Sequence, residues 1–391
     1  MEKTIYLDNA STTKVDLNVV KAMNEFFLED YANYSSNNHF GKKIKNEVEK
    51  ARKKIANHIE AEENEIIFTT GGTESNNLAI KGLAYANPKK KHIITSEIEH
   101  PSVLEVCKML EKKGYSVDYV GVNKEGLVDV KEIKSKIRED TLVVSIMHVN
   151  NEIGTIQPIE EIGRICREKR VYFHTDAVQS FKKIDIDVSK TNIDLLSVSG
   201  HKINGPKGIG FLYVKNGIKI EPLIEGGGQE NNLRSGTINS PGIIGLSSAL
   251  DIEIDKNEVK NSRDELLLEL LKIPGTRLNG SREKRIYNNI NVSFFGIEGG
   301  DLVDELGKKG IYISTGSACS SSKLNESYVL KAIKADPLYI HGSIRLTIDK
   351  LTKKEIDFVA ENLKESIKKL RELSPFKIEL NKIEMKNGWD R

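Results

Sequence analysis

The chain has 391 residues, 38% of them hydrophobic, which is more than one average domain needs and enough to bury a sizeable core. Lysine and arginine total 59 against 57 acidic residues, a net charge of +2 with both signs scattered along the chain, so no nucleic-acid or membrane surface is signalled. The amino terminus has no apolar signal-peptide core and no apolar run reaches membrane-spanning length, so a soluble cytoplasmic protein is expected.

Ile5-Tyr6-Leu7 reads as a short strand or extended arm, and Asp8 to Thr13 as a polar turn able to face a ligand. A helix is predicted next, with Val15, Val19, Met23, Phe26 and Phe27 on one face. After an Asn/Ser-rich loop over residues 31–41, a helix over 42–58 is charged outside and apolar at Ile44, Val48, Ala51 and Ile55. Glu65 to Thr69 reads as a strand, and Thr70-Gly71-Gly72-Thr73-Glu74-Ser75 opens the following helix. The free N–H groups of such a helix start sit at the positive end of the dipole and suit a phosphate. The plainer alternative is an ordinary strand-to-helix turn.

From His92 the pattern alternates. Strands are predicted over 92–96, 116–120, 141–148 and 171–175, and helices over 102–113, 130–137 and 159–169. The alternation predicts an α/β fold, a mainly parallel sheet sandwiched by helices. Polar groups stand at the strand ends: His100 after the first run, Asn150-Asn151-Glu152 after the third, and Asp176, followed by Gln179, after the fourth. A histidine at that edge is placed to stack on a ring and carry protons, although a lone histidine is more often structural.

The apolar run Ile193 to Leu196 ends as a buried parallel strand does, which puts Lys202 just past its carboxyl end, where ligands bind in open α/β sheets. Most lysines are solvated surface groups, but this one sits in Ser197-Val-Ser-Gly-His-Lys-Ile-Asn-Gly-Pro206, where Ser199, His201 and backbone N–H groups can cradle a phosphate. The glycine spacing matches neither a Walker loop nor a dinucleotide fingerprint. A lysine that can form an imine and a carboxylate that can keep a ring nitrogen protonated are the two groups that pyridoxal phosphate needs from a protein.

A strand over 210–214 is followed by a glycine-rich stretch, 226–230, by Arg234-Ser-Gly-Thr237, and by a helix running to about Asp255. The charge-dense stretch 256–262 is expected to mark a domain boundary. Beyond it come strands over 285–295, 311–314 and 343–348, a helix over 300–310, and a last helix opened by the capping box Thr352-Lys-Lys-Glu355. The expected division is a large domain over 15–257 and a smaller α+β domain made of 1–14 and 258–391. Residues 381–391 read as a polar tail. Three cysteines are too few and too scattered for a disulfide framework or a zinc ribbon. Cys107 and Cys166 lie in helical patterns and are expected as small buried apolar groups, whereas Cys319 lies in a Gly/Ser stretch with no burying pattern.

Seven stretches in order resemble the cysteine desulfurases of iron–sulfur cluster assembly, the IscS/NifS type, within the class V, fold-type I pyridoxal phosphate enzymes. They are Tyr6–Thr13, Gly71–Leu78, Glu99–Val103, His148–Gly154, His174–Ser180, Ser197–Lys202 and Arg234–Thr237, and Ser314-Thr-Gly-Ser-Ala-Cys-Ser-Ser321 resembles the family's catalytic cysteine loop. The resemblance implies a homodimer that converts L-cysteine to L-alanine and passes the sulfur, as a persulfide on Cys319, to a scaffold protein or other acceptor. It implies that Lys202 binds pyridoxal 5'-phosphate as an imine, that Asp176 pairs with the ring nitrogen, and that His100 stacks on the ring. Asn151 and Gln179 would bond the phenolic oxygen, and Gly72, Thr73, Ser199 and His201 would hold the phosphate, with Thr237 supplied by the partner subunit. Arg345, together with Asn151, would take the substrate carboxylate. No metal site is implied beyond a transient iron–sulfur ligand role for Cys319. The stretch Ala32-Asn-Tyr-Ser-Ser-Asn-Asn-His39 departs from the family pattern by losing a proline and moving the histidine by one position, and the tail departs too. Two other activities use the same lysine, selenocysteine lyase and cysteine-sulfinate desulfinase, both with less need of Cys319. A different class of reading is a docking platform that binds the cofactor without turnover.

Overall fold

The computed structural model describes residues 4–316 and 326–373, so Cys319 and the polar tail lie outside the described residues. The strands are β1 (Ile5–Tyr6), β2 (Ile66–Thr69), β3 (His92–Ser96), β4 (Ser116–Val120), β5 (Thr141–Ser145), β6 (Tyr172–Asp176), β7 (Leu195–Ser199), β8 (Gly210–Val214), β9 (Thr276–Leu278), β10 (Asn289–Phe294), β11 (Ile311–Tyr312) and β12 (Ser343–Thr347). Seven of them form the main sheet in the order β2-β8-β7-β6-β5-β3-β4. From β4 to β7 neighbours are parallel, while β8 pairs antiparallel with both β7 and β2.

Continuous runs such as Ile93-Ile94 and Leu142-Val143-Val144 are buried on both sides because helices cover both faces. Successive residues of a strand point to opposite faces, so Ile93, Val143, Leu195 and Leu212 meet Leu78, Leu83, Val103 and Leu110 of the helices Gly72–Ala86 and Pro101–Glu111. Ile94, Val144, Leu196 and Phe211 join a core on the other face with Ile44, Val48, Ile55 and Ile162. A second body of core surrounds the antiparallel set β9, β10 and β12. It gathers Ile5 and Leu7 from the amino-terminal arm with Leu266, Leu270, Val359 and Leu363 from the helices Lys256–Leu271 and Lys353–Leu373. The capping box forms as expected: Thr352 N donates to Glu355 Oε2 at 2.8 Å and Glu355 N donates to Thr352 Oγ1 at 3.3 Å.

Local signals misplace several boundaries. Phe27 is 59% exposed, because the helix Leu17–Leu28 buries Val19 and Phe26 two turns apart on one face and turns the next residue outward. The helix expected to reach 255 ends at Ser248, with a further turn at Ala249–Asp251. The charged stretch 256–262 is the start of the helix Lys256–Leu271, whose Val259 and Ser262 are buried. The strand expected from 285 starts at Asn289, since Arg285 lies buried with its side chain donating to the carbonyls of Ser281 and Ile153. Strand β9 and the helices Tyr328–Ala332 and Pro337–Ile340 are too short to leave a periodic signal. Among the described residues no helix is long and apolar enough to cross a membrane.

One buried ion pair fixes the strand that leads into the site. The Glu230 carboxylate accepts from Arg52 Nη1 at 2.8 Å, Arg52 Nη2 at 2.7 Å and Phe68 N at 2.8 Å, tying β2 to the helix His39–Asn57 and to the glycine-rich stretch. Without Glu230 the buried Arg52 keeps only the half-buried Glu49, Nε to Oε2 at 3.0 Å, and Phe68 N loses its acceptor, so Glu230→Ala is expected to cost about 3 kcal/mol, the low end for breaking a buried pair. Urea unfolding of the wild type and the variant measures this, and a loss below about 1 kcal/mol would contradict a net role for the pair.

Candidate active site

The main sheet delivers its polar groups to one edge. Asp176 is the last residue of β6, Ser199 the last of β7, and a single 3-10 turn, Gly200–Lys202, presents the lysine directly after it. Asp176 is 5% exposed and its two oxygens are held apart, Oδ1 by Val178 N at 2.9 Å and Oδ2 by Asn76 Nδ2 at 2.7 Å. Lys202 Nζ donates to the carbonyls of Ala10 at 2.5 Å and Ser11 at 2.7 Å. Gln179 Nε2 donates to the same Ala10 carbonyl at 3.0 Å. The amino-terminal polar turn therefore folds over the sheet edge and gathers residues from two strand ends.

Arg345, on β12, reaches that turn from the smaller core. It is 2% exposed, and its Nη2 donates to Asp8 Oδ1 at 2.8 Å and Ser11 Oγ at 2.7 Å, while Nη1 donates to the carbonyl of Asn151 at 2.9 Å. Its Nε has no partner, and neither has the buried Oδ1 of Asn151. Ser11 thus bonds both Lys202, through its carbonyl, and Arg345, through its hydroxyl.

At β2 the chain passes Gly71, with φ +146°, into the helix Gly72–Ala86. A Cβ on Gly71 would lie 3.3 Å from Ser199 Oγ, so the Ser199 hydroxyl stands over the first turn of this helix. A Cβ on Gly72 would come within 2.6 Å of Val178 Cγ2, so no larger residue fits beside the segment that follows Asp176. Hydroxyl, helix start and glycine backbone thus lie side by side, an arrangement whose chemistry suits an anion. Thr73 and His100 line one open cleft of about 370 Å³. His100 caps the helix Pro101–Glu111, its Nδ1 accepting from Ser102 N at 3.1 Å and lying 2.7 Å from Ser102 Oγ.

Burial pushes the His100 imidazole below its ordinary range; the nearby Asp176 carboxylate opposes the shift and Lys202 adds to it. His201, whose Nδ1 lies 3.1 Å from Thr12 Oγ1, is pulled down to about 4 by burial and by the charges of Lys202, Lys207 and Lys183. Both rings are therefore neutral near pH 7. Thr237 is exposed and makes no hydrogen bond to any of these groups, although its neighbour Arg234 ties the segment to the helix start through Glu74 Oε1 at 3.0 Å.

Several groups of the site lie in stretches singled out in the sequence, yet no role was assigned to them there. Asn76 holds Asp176 from one turn inside a helix, and the carbonyls of Ala10 and Ser11 act through backbone. Glu99 is buried behind His100, where burial pushes its carboxyl up to about 8 against hydrogen bonds from Ser96 Oγ and Met147 N. Glu152 is buried as well, and burial raises its carboxyl to about 7 against a hydrogen bond from Ser327 and the charge of Arg345. Glu152 stood among the polar groups expected at the strand ends, but the burial and partners of both carboxyls appear only in the three-dimensional packing.

A lysine past one strand, a buried carboxylate ending its neighbour and a glycine-lined anion cradle define the class: an α/β enzyme of the pyridoxal phosphate type. The residues fit that cofactor, since the cradle suits a phosphate, the carboxylate suits a pyridinium N–H, and the partnerless Asn151 Oδ1 awaits a hydrogen-bond donor. Residues 5–357 match the family model "Aminotransferase class-V", and the chain belongs to that family, whose enzymes depend on pyridoxal 5'-phosphate. It is 51% identical over 380 residues to cysteine desulfurase IscS of Methanosarcina thermophila, covering 95% of this chain and 94% of that protein. It is 49% identical to cysteine desulfurase IscS of Dictyoglomus turgidum, covering 97% and 98%. Among solved structures, a NifS-like protein superposes with a TM-score of 0.89 at 38% identity over 94% of this chain and all of the other. A structure described as SspA in complex with cysteine superposes at 0.82 with 38% identity, over 89% of this chain and 100% of the other.

Proposed function

We propose that the protein is a pyridoxal phosphate-dependent cysteine desulfurase: it converts L-cysteine to L-alanine and carries the released sulfur as a persulfide on Cys319 to an acceptor. The single observation that carries this reading is the convergence of Lys202, Asp176 and Arg345 on one turn and one sheet edge, in a chain about half identical to desulfurases over nearly its whole length. The selenocysteine lyase and desulfinase alternatives share the lysine, and the relatives' names favour neither.

In this reading Lys202 holds the cofactor, Asp176 its ring nitrogen, and Gly72, Thr73, Ser199 and His201 its phosphate, with Thr237 reaching the site of a partner subunit. His100 covers the ring face, and Gln179 and Asn151 take its phenolic oxygen. When bound, the cofactor supplies an electron sink for the α-carbon of an amino acid. The Lys202 amine, once released, takes the α-proton, and the carbonyls of Ala10 and Ser11 hold the ammonium that results. The Cys319 thiolate attacks the substrate sulfur: the substrate C–S bond breaks, an S–S bond forms on Cys319, and cysteine leaves as alanine after taking up a proton. Arg345 presents a planar fork suited to a carboxylate, which must compete with Asp8 for it. The two bodies of core support a division into domains at 15–257 and at 1–14 with 258–391. Homodimerisation, a scaffold protein as sulfur acceptor and a cytoplasmic location belong to the same reading. Sulfide release from L-cysteine in the presence of a thiol, with alanine formed in equal amount, tests it; release of sulfite or selenide with no turnover of cysteine would overturn it.

Asp176 carries a prediction of its own. Asp176→Ala is expected to leave the Lys202 amine reactive toward the cofactor aldehyde while slowing α-proton loss by several orders of magnitude, because the ring nitrogen loses the charge that keeps it protonated. Exchange of the substrate α-hydrogen with deuterium oxide, followed by NMR, measures this. Exchange at the wild-type rate would contradict the role.

A further inference from the structure

A continuous line of side-chain hydrogen bonds runs from the end of β6 to the histidine at the open cleft. Asn76 Nδ2 donates to Asp176 Oδ2 at 2.7 Å and to Ser102 Oγ at 2.8 Å, and Ser102 Oγ lies 2.7 Å from His100 Nδ1. The backbone N of Ser102 donates to the same Nδ1 at 3.1 Å. Asn76 and Ser102 are both buried. Counting protons along this line fixes its direction. Both Asp176 oxygens accept hydrogen bonds, so the NH₂ of Asn76, and not its carbonyl, faces the carboxylate, and the second proton of that NH₂ goes to Ser102 Oγ. The Ser102 hydroxyl therefore accepts from Asn76 and has its own proton to give to His100 Nδ1. With two donors aimed at it, Nδ1 cannot carry a proton without setting N–H against N–H. The ring proton belongs on Nε2.

A second proton, arriving on Nδ1, would break the bond from Ser102 N and set a positive charge at the positive end of the helix Pro101–Glu111, which His100 caps. Among the surroundings of the ring, burial opposes that charge most, Asp176 on β6 favours it and Lys202 after β7 opposes it. Lys81 and Glu105, from the two helices, line the same open cleft, and the Glu99 carboxylate behind the ring is turned to Ser96 Oγ and Met147 N. We propose that Asn76 and Ser102 are positioning residues of the active site: they hold the His100 imidazole neutral with its proton on Nε2, so that the ring serves the site as a hydrogen-bond donor and leaves proton removal to Lys202. The inference rests on the reading of this edge as a pyridoxal phosphate site with His100 over the ring. It gives Asp176 a further task, since the carboxylate orients the amide that orients the hydroxyl.

The test uses the holoenzyme carrying nitrogen-15 histidine, with no cysteine added, and follows the two ring nitrogens of His100 by NMR as the pH is varied. Their signals are identified by their absence in His100→Gln. The wild type is expected to show, near neutral pH, a protonated Nε2 and an unprotonated, hydrogen-bonded Nδ1. Ser102→Ala removes a donor that favours the neutral ring, so the pH midpoint of His100 is expected to rise by about half a unit to one unit, the size of one lost hydrogen bond, and the Nδ1 signal to move toward that of a nitrogen with fewer donors. Asn76→Ala is expected to move the midpoint more when Ser102 is present than in Ser102→Ala, because its effect on His100 passes through the hydroxyl. A wild-type ring protonated on Nδ1, a midpoint unchanged or lowered in Ser102→Ala, or an Asn76→Ala effect of the same size in both backgrounds overturns the proposal. Should Asn76→Ala fail to fold, the wild-type spectrum and Ser102→Ala, which deletes a single hydroxyl, decide it. None of these readouts needs turnover of cysteine, so failure here and failure of the proposed activity are distinguishable.

Discussion

Lys202→Ala is expected to yield a protein with no borohydride-reducible pyridoxyl adduct and no measurable turnover. The lysine follows a fully buried strand through one tight turn, and its Nζ is fixed by two backbone carbonyls of the amino-terminal arm. Other lysines near the edge are not placed to substitute for it. Lys182 is bonded to the carbonyl of Ala249, and Lys183 is buried beside a cavity of about 30 Å³ that does not include the glycine-lined helix start. Loss of the amine removes both the covalent hold on the cofactor and the base that takes the α-proton, so the loss in rate is expected to exceed about 10⁴-fold, the upper range for general-base removal alone. Reduction with borohydride followed by peptide mapping measures the adduct. A pyridoxyl group on another lysine of the variant would contradict the assignment.

Cys319→Ser is expected to separate binding from sulfur release. The variant should bind cofactor and cysteine with the spectrum of the wild type and release no sulfide, because a serine hydroxyl is far less acidic than a thiol and a poor nucleophile toward sulfur. The other two cysteines cannot take over: Cys107 and Cys166 are buried in helices, and burial pushes the Cys107 thiol up to about 12 and that of Cys166 higher still. Sulfide assays on both proteins give the comparison. Undiminished sulfide from the serine variant would favour a lyase that needs no cysteine of its own.

The site was legible where chemistry sits at the end of a buried strand. Asp176 and Lys202 each follow an apolar run that can only be a covered parallel strand, and such strands leave their carboxyl ends at one edge. The glycine pair at 71–72 was legible for a similar reason, as a strand-to-helix turn with free N–H groups. What holds these residues in place was not legible. Asn76 and Asp176 are one hundred positions apart, and no local pattern joins them. Arg345 and Ser11 meet across 334 positions, and backbone carbonyls such as that of Ala10 carry no sequence identity at all. The same limit explains why the stretch 256–262 did not read as the start of a helix: charged residues on one side hide Val259, whose partners come from the other end of the chain. Phe27 shows the converse, an apolar residue counted toward a face that the helix turns to solvent.

The central claim, that sulfur leaves cysteine by way of Cys319, is tested most directly by weighing the intermediate. Wild-type protein exposed briefly to L-cysteine without added thiol, then alkylated, digested and analysed by mass spectrometry, is expected to carry one extra sulfur on the peptide containing Cys319. Sulfur on the peptides containing Cys107 or Cys166, or none on any peptide while alanine is formed, would contradict it.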